Sequence, residues 1–555
     1  IQINDERLVV QDNHFYRGDQ RVRIWGVNLS FGANFPSHQQ APEIAARLAA
    51  AGINSVRCHH MDTAQWPRGI WDALDKQRIS SEALDRLDYF IDQLARYGIY
   101  VNINLHVGRA HSEVLGLPAT KRNYDKVTCL FTPGLIRAQR DYARTLLTHV
   151  NPYRQRAYAH DPAIAFVEIT NENSFFMWDG EQALRALPPH YDRILQAQYN
   201  AWLKDRYQDQ GALRRAWAKG TVPLGDNLIR NSRFLAKHNE QAEPPDWDME
   251  QHDACQARIL TWPSPSSRGI RIQIVRHDQT DWHLQFKQAG HTLKAGQYYT
   301  VSFTARSDEP RTIGCRVGQA HAPWANLGLS RKIDLGHAWT RSSLGFVAKA
   351  DDDNARLSFT FGNDSIPFML DNVHLRQGGQ IGLDPSESLP QGTVALFRNQ
   401  ESPARALDRM MFLAQTEKAY FDRMYGYIKK DLGSKALITG TIVFGPLGLY
   451  GQSDMDFIDA HAYWQHPSFP GRPWDAGNWL IKQKPMVDYP QAATLFALAA
   501  KRLKGKPLTV SQYNHPAPMD SLASCVPMLA SLGAALDWDG IWLYTLSHST
   551  DDRYR

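Results

Sequence analysis

Two positions far apart in the chain carry residue types that suit acid–base or nucleophilic chemistry. Residues 166–169 are a short run that is apolar except at Glu168 and has β-branched members, which predicts a buried strand, and Asn171, Glu172 and Asn173 follow it. A second such run, residues 507–511, is followed by Gln512. In α/β folds with parallel strands, chemistry is concentrated at the C-terminal ends of the strands. Glu172 and Gln512 are therefore candidates for a pair acting at one site, although position 512 holds an amide where a second carboxylate is expected.

Further polar and aromatic side chains lie at the ends of other apolar runs or in the loops after them. They are Arg57, His60, His106, His461, Tyr463, Tyr544, Trp178 and Trp464. An arginine keeps a neighbouring carboxylate ionised by charge and hydrogen bonding, and we expect Arg57 to pair in this way with the end of the strand that carries position 512. Each residue also has a structural alternative. Arg57 could only stabilise the sheet, the histidines and Tyr463 could be hydrogen-bonded core residues, and the tryptophans could pack within loops.

The elements that must position these residues alternate between strand and helix, before residue 225 and again after residue 400. A hairpin over residues 8–18 precedes the first strand, and the predicted strands are 22–28, 53–60, 99–106, 163–171, 436–441, 457–463, 507–512 and 540–544. The predicted helices are 42–51, 81–97, 133–150, 188–218 and 404–430. This alternation implies parallel βα units, and polar residues at successive strand ends favour a (β/α)₈ barrel over an open sheet. No glycine-rich phosphate loop follows the first strand, which argues against a dinucleotide-binding fold.

The periodicity changes between residues 226 and 378. Short alternating segments, such as residues 298–305 and 355–361, predict an all-β sandwich inserted into the barrel. We therefore expect three segments: the first part of the barrel over 1–225, the inserted domain over 226–378, and the second part of the barrel over 379–555. No helix is predicted after the eighth strand, which we interpret as further residues following position 555.

Composition excludes several classes of protein. The 62 basic and 57 acidic residues are interspersed and give a net charge of +5, and no basic tract alternates with aromatics, so we expect no nucleic-acid partner. No apolar run is long enough to span a membrane. Position 1 is isoleucine, which we interpret as a mature boundary of a secreted, periplasmic or cell-surface protein. Nothing in the sequence indicates an oligomeric state.

The histidines and cysteines do not indicate a metal site. The 21 histidines show no HxxxH or HExxH spacing, and the five cysteines are scattered without zinc-type pairs. Cys255 and Cys315 could form a disulfide within the inserted domain or remain buried free thiols. We predict no metal and no cofactor.

These residues together resemble clan A glycoside hydrolases, and the pattern is most similar to family 5. The resemblance rests on Asn171-Glu172 after strand four, the end of strand seven, Arg57 on strand two, His106 on strand three, and His461 and Tyr463 on strand six. The insert, with residues 227–231 at its start and 371–373 at its end, resembles carbohydrate-binding modules of the family 4, 9 and 22 type.

The resemblance implies a retaining hydrolase of β-linked oligo- or polysaccharides. Glu172 would be the acid/base, Asn171 would bind the sugar 2-hydroxyl, and position 512 would be the nucleophile. His461 would contact the sugar or the acid/base, and Tyr463 would donate to the nucleophile. Tyr544 would lie under the reacting sugar, and Trp178 and Trp464 would stack on sugar faces.

The chain departs from this pattern at Gln512, because a neutral amide cannot form the glycosyl-enzyme ester at a useful rate. We interpret Gln512 as a substitution of a glutamate that leaves the protein inactive. The alternatives are a natural non-catalytic glycan-binding protein and a transglycosylase. The sequence does not indicate the sugar, the linkage, or endo or exo action.

Overall fold

The structure is a computed structural model that describes residues 2–3, 5–120, 123–235, 244–261 and 269–549. Its contacts divide the chain into two compact units, Ile1–Ala197 with Met411–Arg555, and Gln198–Met410. This division groups part of the fourth predicted helix and the linker after residue 378 with the insert, whereas the boundaries drawn from the sequence follow the change in periodicity. Those sequence boundaries stay a prediction.

The first unit contains an eight-stranded parallel sheet. Its strands, in spatial order, are β20 (Leu437–Thr439), β9 (Ile164–Thr170), β6 (Tyr100–His106), β5 (Ser55–His59), β4 (Ile24–Ser30), β23 (Gly540–Ser547), β22 (Leu508–Asn514) and β21 (Ile458–Tyr463). Every neighbouring pair in this order is parallel. A parallel bridge between Ile442, after β20, and Asp459, in β21, joins the two edges. The sheet is therefore a closed (β/α)₈-type barrel, as the sequence predicts.

Short strands accompany the barrel: a three-stranded sheet of β1 (Leu8–Gln11), β2 (His14–Arg17) and β3 (Gln20–Arg21), and the pair β7 (Val150–Asn151) and β8 (Arg156–Ala157). Phe15 of β2 lies against Phe166 of β9, with 5.2 Å between ring centroids. Phe166 also contacts Phe457 and Trp542, at 5.6 Å each. The aromatic side chains pack the interior, and Gly26 is required beside them, because a Cβ at that position would lie 2.3 Å from the Trp542 ring.

The helices of the chain are α1 (Gln40–Ala50), α2 (Ser81–Arg96), α3 (His111–Val114), α4 (Pro133–Leu147), α5 (Gly180–Arg185), α6 (Pro189–Tyr207), α7 (Gln210–Trp217), α8 (Pro403–Gly426), α9 (Gly445–Gly451), α10 (Thr494–Ala499) and α11 (Cys525–Ala535). Local interactions at the first residues determine where two of these helices begin. The Ser80 hydroxyl caps α2 by accepting from the Ala83 N–H, and Pro133 begins α4, where its missing N–H costs nothing.

Two predicted helices differ from the structure. The single helix predicted over 188–218 is interrupted between α6 and α7, where Gln208 has a φ of 61° and Asp209 starts the next helix by accepting from the Ala212 N–H. In the range 404–430, predicted as one helix, the α-helix ends at Gly426 and a π-helical turn, Tyr427–Asp431, follows it. Both differences are breaks in backbone geometry that leave the apolar periodicity unchanged. Among the described helices, none has an apolar stretch sufficient to cross a lipid bilayer.

The second unit contains the predicted β-sandwich. One antiparallel sheet has the order β10 (Asp248–Gln251), β13 (Leu284–Leu293), β18 (Asp352–Thr360), β15 (Arg311–Gln319) and β16 (Asn326–Leu335). The other has the order β11 (Gln256–Thr261), β12 (Ile270–Arg276), β19 (Phe368–Gln377), β14 (Tyr298–Ser307) and β17 (Thr340–Val347). Cys255 and Cys315 are buried free thiols, so the disulfide alternative is wrong.

Candidate active site

Glu172 lies just beyond the C-terminal end of β9, and its backbone has a φ of 45°. A non-glycine residue in this left-handed region is uncommon, and such residues are concentrated at functional sites. The side chain is 22% exposed, and Oε1 lies 2.9 Å from Nδ1 of His461. Glu172 is therefore a mostly buried carboxyl held beside a basic ring at the open end of a barrel strand.

The environment of Glu172 favours its ionised form. Burial acts to raise the pKa of this carboxyl, but the hydrogen bond and charge of His461, with the charges of Lys126 and Arg57, outweigh burial and lower the pKa to about 2. Glu172 is consequently a carboxylate at neutral pH in the chain as it stands, and it could accept a proton more readily than donate one.

His461 on β21 connects Glu172 to the barrel interior. Its Nε2 lies 2.8 Å from the Ser511 hydroxyl, which donates to Asp459, and 3.5 Å from a carboxylate oxygen of Asp459. Burial alone would lower the pKa of His461, but the hydrogen bonds and charges of Asp459 and Glu172 raise it. The ring therefore lies between two carboxylates, and its contacts with Ser511 and Asp459 fix its orientation towards Glu172.

Gln512 on β22 is the register partner of His461 in the neighbouring strand. The Tyr463 hydroxyl donates to Oε1 of Gln512 across 2.6 Å. The Gln512 amide Nε2 lies 3.2 Å from Nε2 of His59, whose Nδ1 lies 2.7 Å from the Asn104 side-chain oxygen. Burial, followed by the charge of Arg57, holds the pKa of His59 well below its usual range. A neutral His59 ring that donates to Asn104 and accepts from Gln512 satisfies all these contacts.

The predicted pairing of Arg57 with position 512 is wrong. Arg57 donates from Nε and a terminal nitrogen to Oε2 of Glu168, at 2.9 and 2.6 Å, and both side chains are fully buried. It also donates to Asn28, at 2.8 Å, and to Asn171, at 3.1 Å. Glu168 lies within β9, where it meets Arg57 in the barrel interior, and Gln512 is engaged by Tyr463 and His59 instead. Arg57 therefore contacts the candidate site through Asn171.

A buried carboxyl on α8 positions the loop that follows Glu172. Glu417 accepts from the Ser174 hydroxyl at 2.9 Å and from the Phe175 backbone N–H at 2.7 Å. None of the ion pairs formed by the described residues includes Glu417, and burial raises its pKa to about 8 despite these two donors. Glu417 is therefore neutral at pH 7 and holds the loop by hydrogen bonds without a charge.

Tyr544 and His60 lie near the same strand ends. The Tyr544 ring is 5.9 Å from Tyr463 and 5.7 Å from His59. The His60 ring stacks on Phe31 at 4.5 Å, and burial, together with the Lys126 and Arg57 charges, lowers its pKa to about 3. Glu172 acts on the pKa of both His60 and Tyr544, which indicates that the two rings share the electrostatic environment of this carboxylate.

Three other predicted residues have described side-chain contacts that do not include Glu172 or Gln512. His106 is buried, with Nε2 3.0 Å from the Arg109 carbonyl and Cys129 near its other nitrogen, so the core alternative describes it. Trp464 is 4% exposed, packs in an apolar cluster and donates to the Lys484 carbonyl at 2.6 Å, so it is a core residue rather than a sugar platform. Trp178 is 73% exposed and packs edge-on against Phe444.

Sequence reasoning did not single out several polar residues of the barrel interior. They are Asn28, Glu168, Asp459 and Ser511, which contact Arg57 or His461, and Asn104, which donates to Glu168. A usable signal was present, because each is a polar residue on a predicted buried strand, and buried polar groups need partners.

One group of possible metal ligands occurs among the described residues. Cys255, Asp278 and His283 have ligand atoms within 4.8 Å of one another, in the inserted domain. His283 Nδ1 lies 2.5 Å from Asp278, and the Cys255 thiol also hydrogen-bonds to Asp278. These groups satisfy one another and belong to a different unit from Glu172 and Gln512.

Comparison with known proteins identifies the type of the insert. Residues 264–365 match the model of a carbohydrate-binding domain family. A curated relative, a cellulose 1,4-β-cellobiosidase from Acetivibrio thermocellus, is 25% identical over 115 residues, which are 20% of this chain and 13% of the relative's own length. The predicted barrel with an inserted sandwich of the carbohydrate-binding type is thus confirmed by the strand topology and this family match.

Two solved structures are also similar. One, described by the words "CBM4 structure and function", is 28% identical, covers 27% of this chain and 99% of its own, and has a TM-score of 0.24. The other, an endo-1,4-β-mannanase from Rhizomucor miehei, is 10% identical, covers 99% of this chain and 96% of its own, and has a TM-score of 0.41.

Proposed function

We propose that the barrel is a retaining β-glycoside hydrolase site in which Gln512 occupies the nucleophile position, so that the chain as it stands binds a β-linked oligo- or polysaccharide but turns it over very slowly. The observation that carries this proposal is the pairing of Glu172 with His461 and of Gln512 with Tyr463. His461 and Gln512 are register partners on neighbouring strands and Glu172 contacts His461, so Glu172 and Gln512 belong to the same end of the barrel.

In the proposed reaction, Glu172 protonates the leaving oxygen while a carboxylate at position 512 attacks the anomeric carbon. This double displacement needs two carboxyl groups about 5–5.5 Å apart. Tyr463 orients the attacking group, Asn171 binds the sugar 2-hydroxyl, and Tyr544 lies beneath the ring. The Gln512 amide keeps the shape of the pocket but has no anion, and the lost covalent step raises the barrier by roughly 4–8 kcal/mol.

The low pKa of Glu172 supports the proposal that position 512 requires a glutamate for activity. An acid catalyst must be protonated, yet the pKa of Glu172 is held at about 2 when its neighbour is neutral. A carboxylate at position 512 would oppose the ionisation of Glu172 and raise that pKa. It would also reverse the hydrogen bond with His59. A carboxylate can only accept, so Nε2 of His59 would have to donate to position 512.

The test is Gln512→Glu, screened on β-glucans, mannans and galactans, with the fresh anomer followed by proton NMR. We expect activity to appear with retained configuration. Gln512→Asp is the matched control, because it restores the charge but not the reach and should stay close to inactive. An inverted product would refute the mechanism.

The second candidate is a non-catalytic glycan-binding protein, favoured by the mutual fit of the Gln512 amide and the neutral His59 ring. Inactivity of Gln512→Glu on every glycan, with binding retained, would select it. A transglycosylase would use the same residues and would appear as transfer products in the same NMR assay. A carbohydrate-binding-type domain in the same chain also supports a secreted, periplasmic or cell-surface location.

A further inference from the structure

One sheet of the inserted domain has a polar outer face. On β14, which lies between β19 and β17, Val301, Phe303 and Ala305 point into the sandwich core, so Thr300 and Ser302 point outward. Here the face is flanked by two segments from outside the sandwich.

Those segments enclose a cavity of about 500 Å³. Residues 222–224 form one wall, residues 379–381 with Gln400 form another, and the outer faces of β14, β17 and β19 form the floor. Gln400 is anchored by its own side chain, which accepts from the Ser343 hydroxyl at 2.8 Å and donates to the Thr300 hydroxyl at 3.2 Å. The cavity is therefore built by defined hydrogen bonds within the second unit.

Basic groups line this cavity and carboxylates do not. Its lining includes Arg341 on β17 and His374 and Arg376 on β19. In the strand register, Ser302 is opposite both His374 and Ser343, Thr300 is opposite Arg376, and Arg341 is two residues from Ser343. The three basic side chains therefore lie on both sides of the β14 hydroxyl groups, two on β19 and one on β17.

The arginines of this group are not held by a neighbouring carboxylate among the described residues. None of the ion pairs in that part of the chain includes Arg341 or Arg376, and Nδ1 of His374 is buried without a hydrogen-bond partner. Burial, then the charges of Arg376 and Arg341, lower the pKa of His374, which shows that both arginines act on the ring. Asp371 is the acidic group that opposes them, and it does not line the cavity.

We propose that this cavity is a second glycan site, which binds an acidic sugar through its carboxylate at Arg341 and Arg376. Arginine forks bind carboxylates with two parallel hydrogen bonds. The Ser302 hydroxyl suits a sugar hydroxyl, whereas the Thr300 and Ser343 hydroxyls are engaged by Gln400 and the Gly378 carbonyl. The volume lies in the range of small-molecule sites and exceeds what an inorganic anion fills, which favours a uronic acid residue. This proposal does not depend on catalysis in the barrel.

The experiment is calorimetric titration of the full chain with glucuronate and galacturonate. Glucose and galactose are the controls, because each differs from its acid only at the carboxylate. Inorganic phosphate tests for an anion site without sugar recognition. We expect the uronates to bind at least 10-fold more tightly than the neutral sugars, and we expect phosphate to bind more weakly than the uronates and to compete with them.

Arg376→Gln and Arg341→Gln should each weaken uronate binding about 10- to 100-fold, the loss expected for one charge-assisted hydrogen bond. Arg258→Gln is the matched control, an exposed arginine of the same sheet outside the cavity, and it should bind like the parent. The proposal is overturned if neutral sugars bind equally well, if phosphate binds as tightly as the uronates, if no uronate binds, or if Arg258→Gln weakens binding as much as Arg376→Gln.

Discussion

Replacing Arg57 by methionine should strongly destabilise the barrel unit. Arg57 and Glu168 are both fully buried, and Arg57 makes four hydrogen bonds, two to Glu168 and one each to Asn28 and Asn171. Methionine fills much of the space but leaves the Glu168 charge without its cation. Breaking a buried pair by removing one partner costs about 3–5 kcal/mol, and we expect that loss in the free energy of unfolding.

The loss should depend on pH in a direction that the pair determines. Burial already raises the pKa of Glu168 from 4.5, and Arg57 is the largest influence that lowers it. Without Arg57, the folded-state pKa of Glu168 rises further above its unfolded value. When the pKa of a carboxyl is higher in the folded state, the protein has its full stability below the unfolded-state pKa and loses stability as the pH rises through the folded-state pKa. Arg57→Met should therefore be destabilised more at pH 8 than at pH 5.

The assay is urea unfolding at both pH values, followed by tryptophan fluorescence. Arg47→Met is the control, an exposed arginine on α1 that should change stability by less than about 0.5 kcal/mol. Combining Arg57→Met with Glu168→Leu removes both charges and should recover most of the loss. A loss that is equal at both pH values, or that persists in the double variant, would refute the reasoning.

Three further predictions concern carboxyl groups. On a Gln512→Glu background, Glu172→Gln should lower hydrolysis of substrates with poor leaving groups by about 10²–10⁴, and hydrolysis of activated aryl glycosides by much less; equal losses on both would contradict an acid/base role. His461→Asn should raise the pKa of Glu172 from about 2 towards 4.5, measured by NMR titration. Ionised Glu172 stabilises the fold above pH 4.5, and this stabilisation is lost as the pH falls towards 2. His461→Asn should therefore also remove up to roughly 3 kcal/mol of the stability that depends on acid pH. A Glu172 pKa that does not change in this variant would contradict the contact. The raised pKa of Glu417, about 8, makes the parent protein lose stability as the pH rises from 5 to 8, and Glu417→Gln should reduce that loss. If the urea midpoints of the parent and the variant change equally with pH, Glu417 is not neutral in the folded protein.

Local patterns in the sequence were sufficient for the order of the elements and for several site residues. The change from an apolar run to Asn171-Glu172 is a feature of a few consecutive residues, and it marks the end of β9 within one residue. The spacing of His461 and Tyr463 places both on one face of β21. The sandwich was likewise visible, because period-two alternation is a local property of each strand.

Tertiary structure alone decided which groups meet. Glu168 and His59 are polar residues on predicted buried strands, and their partners, Arg57 and Gln512, lie 111 and 453 positions away. Strand register and closure of the barrel determine such pairs, and neither is encoded in a short stretch of sequence. The same holds for Trp464, which is in the core although it follows a strand end, because burial of a loop residue depends on what packs over it.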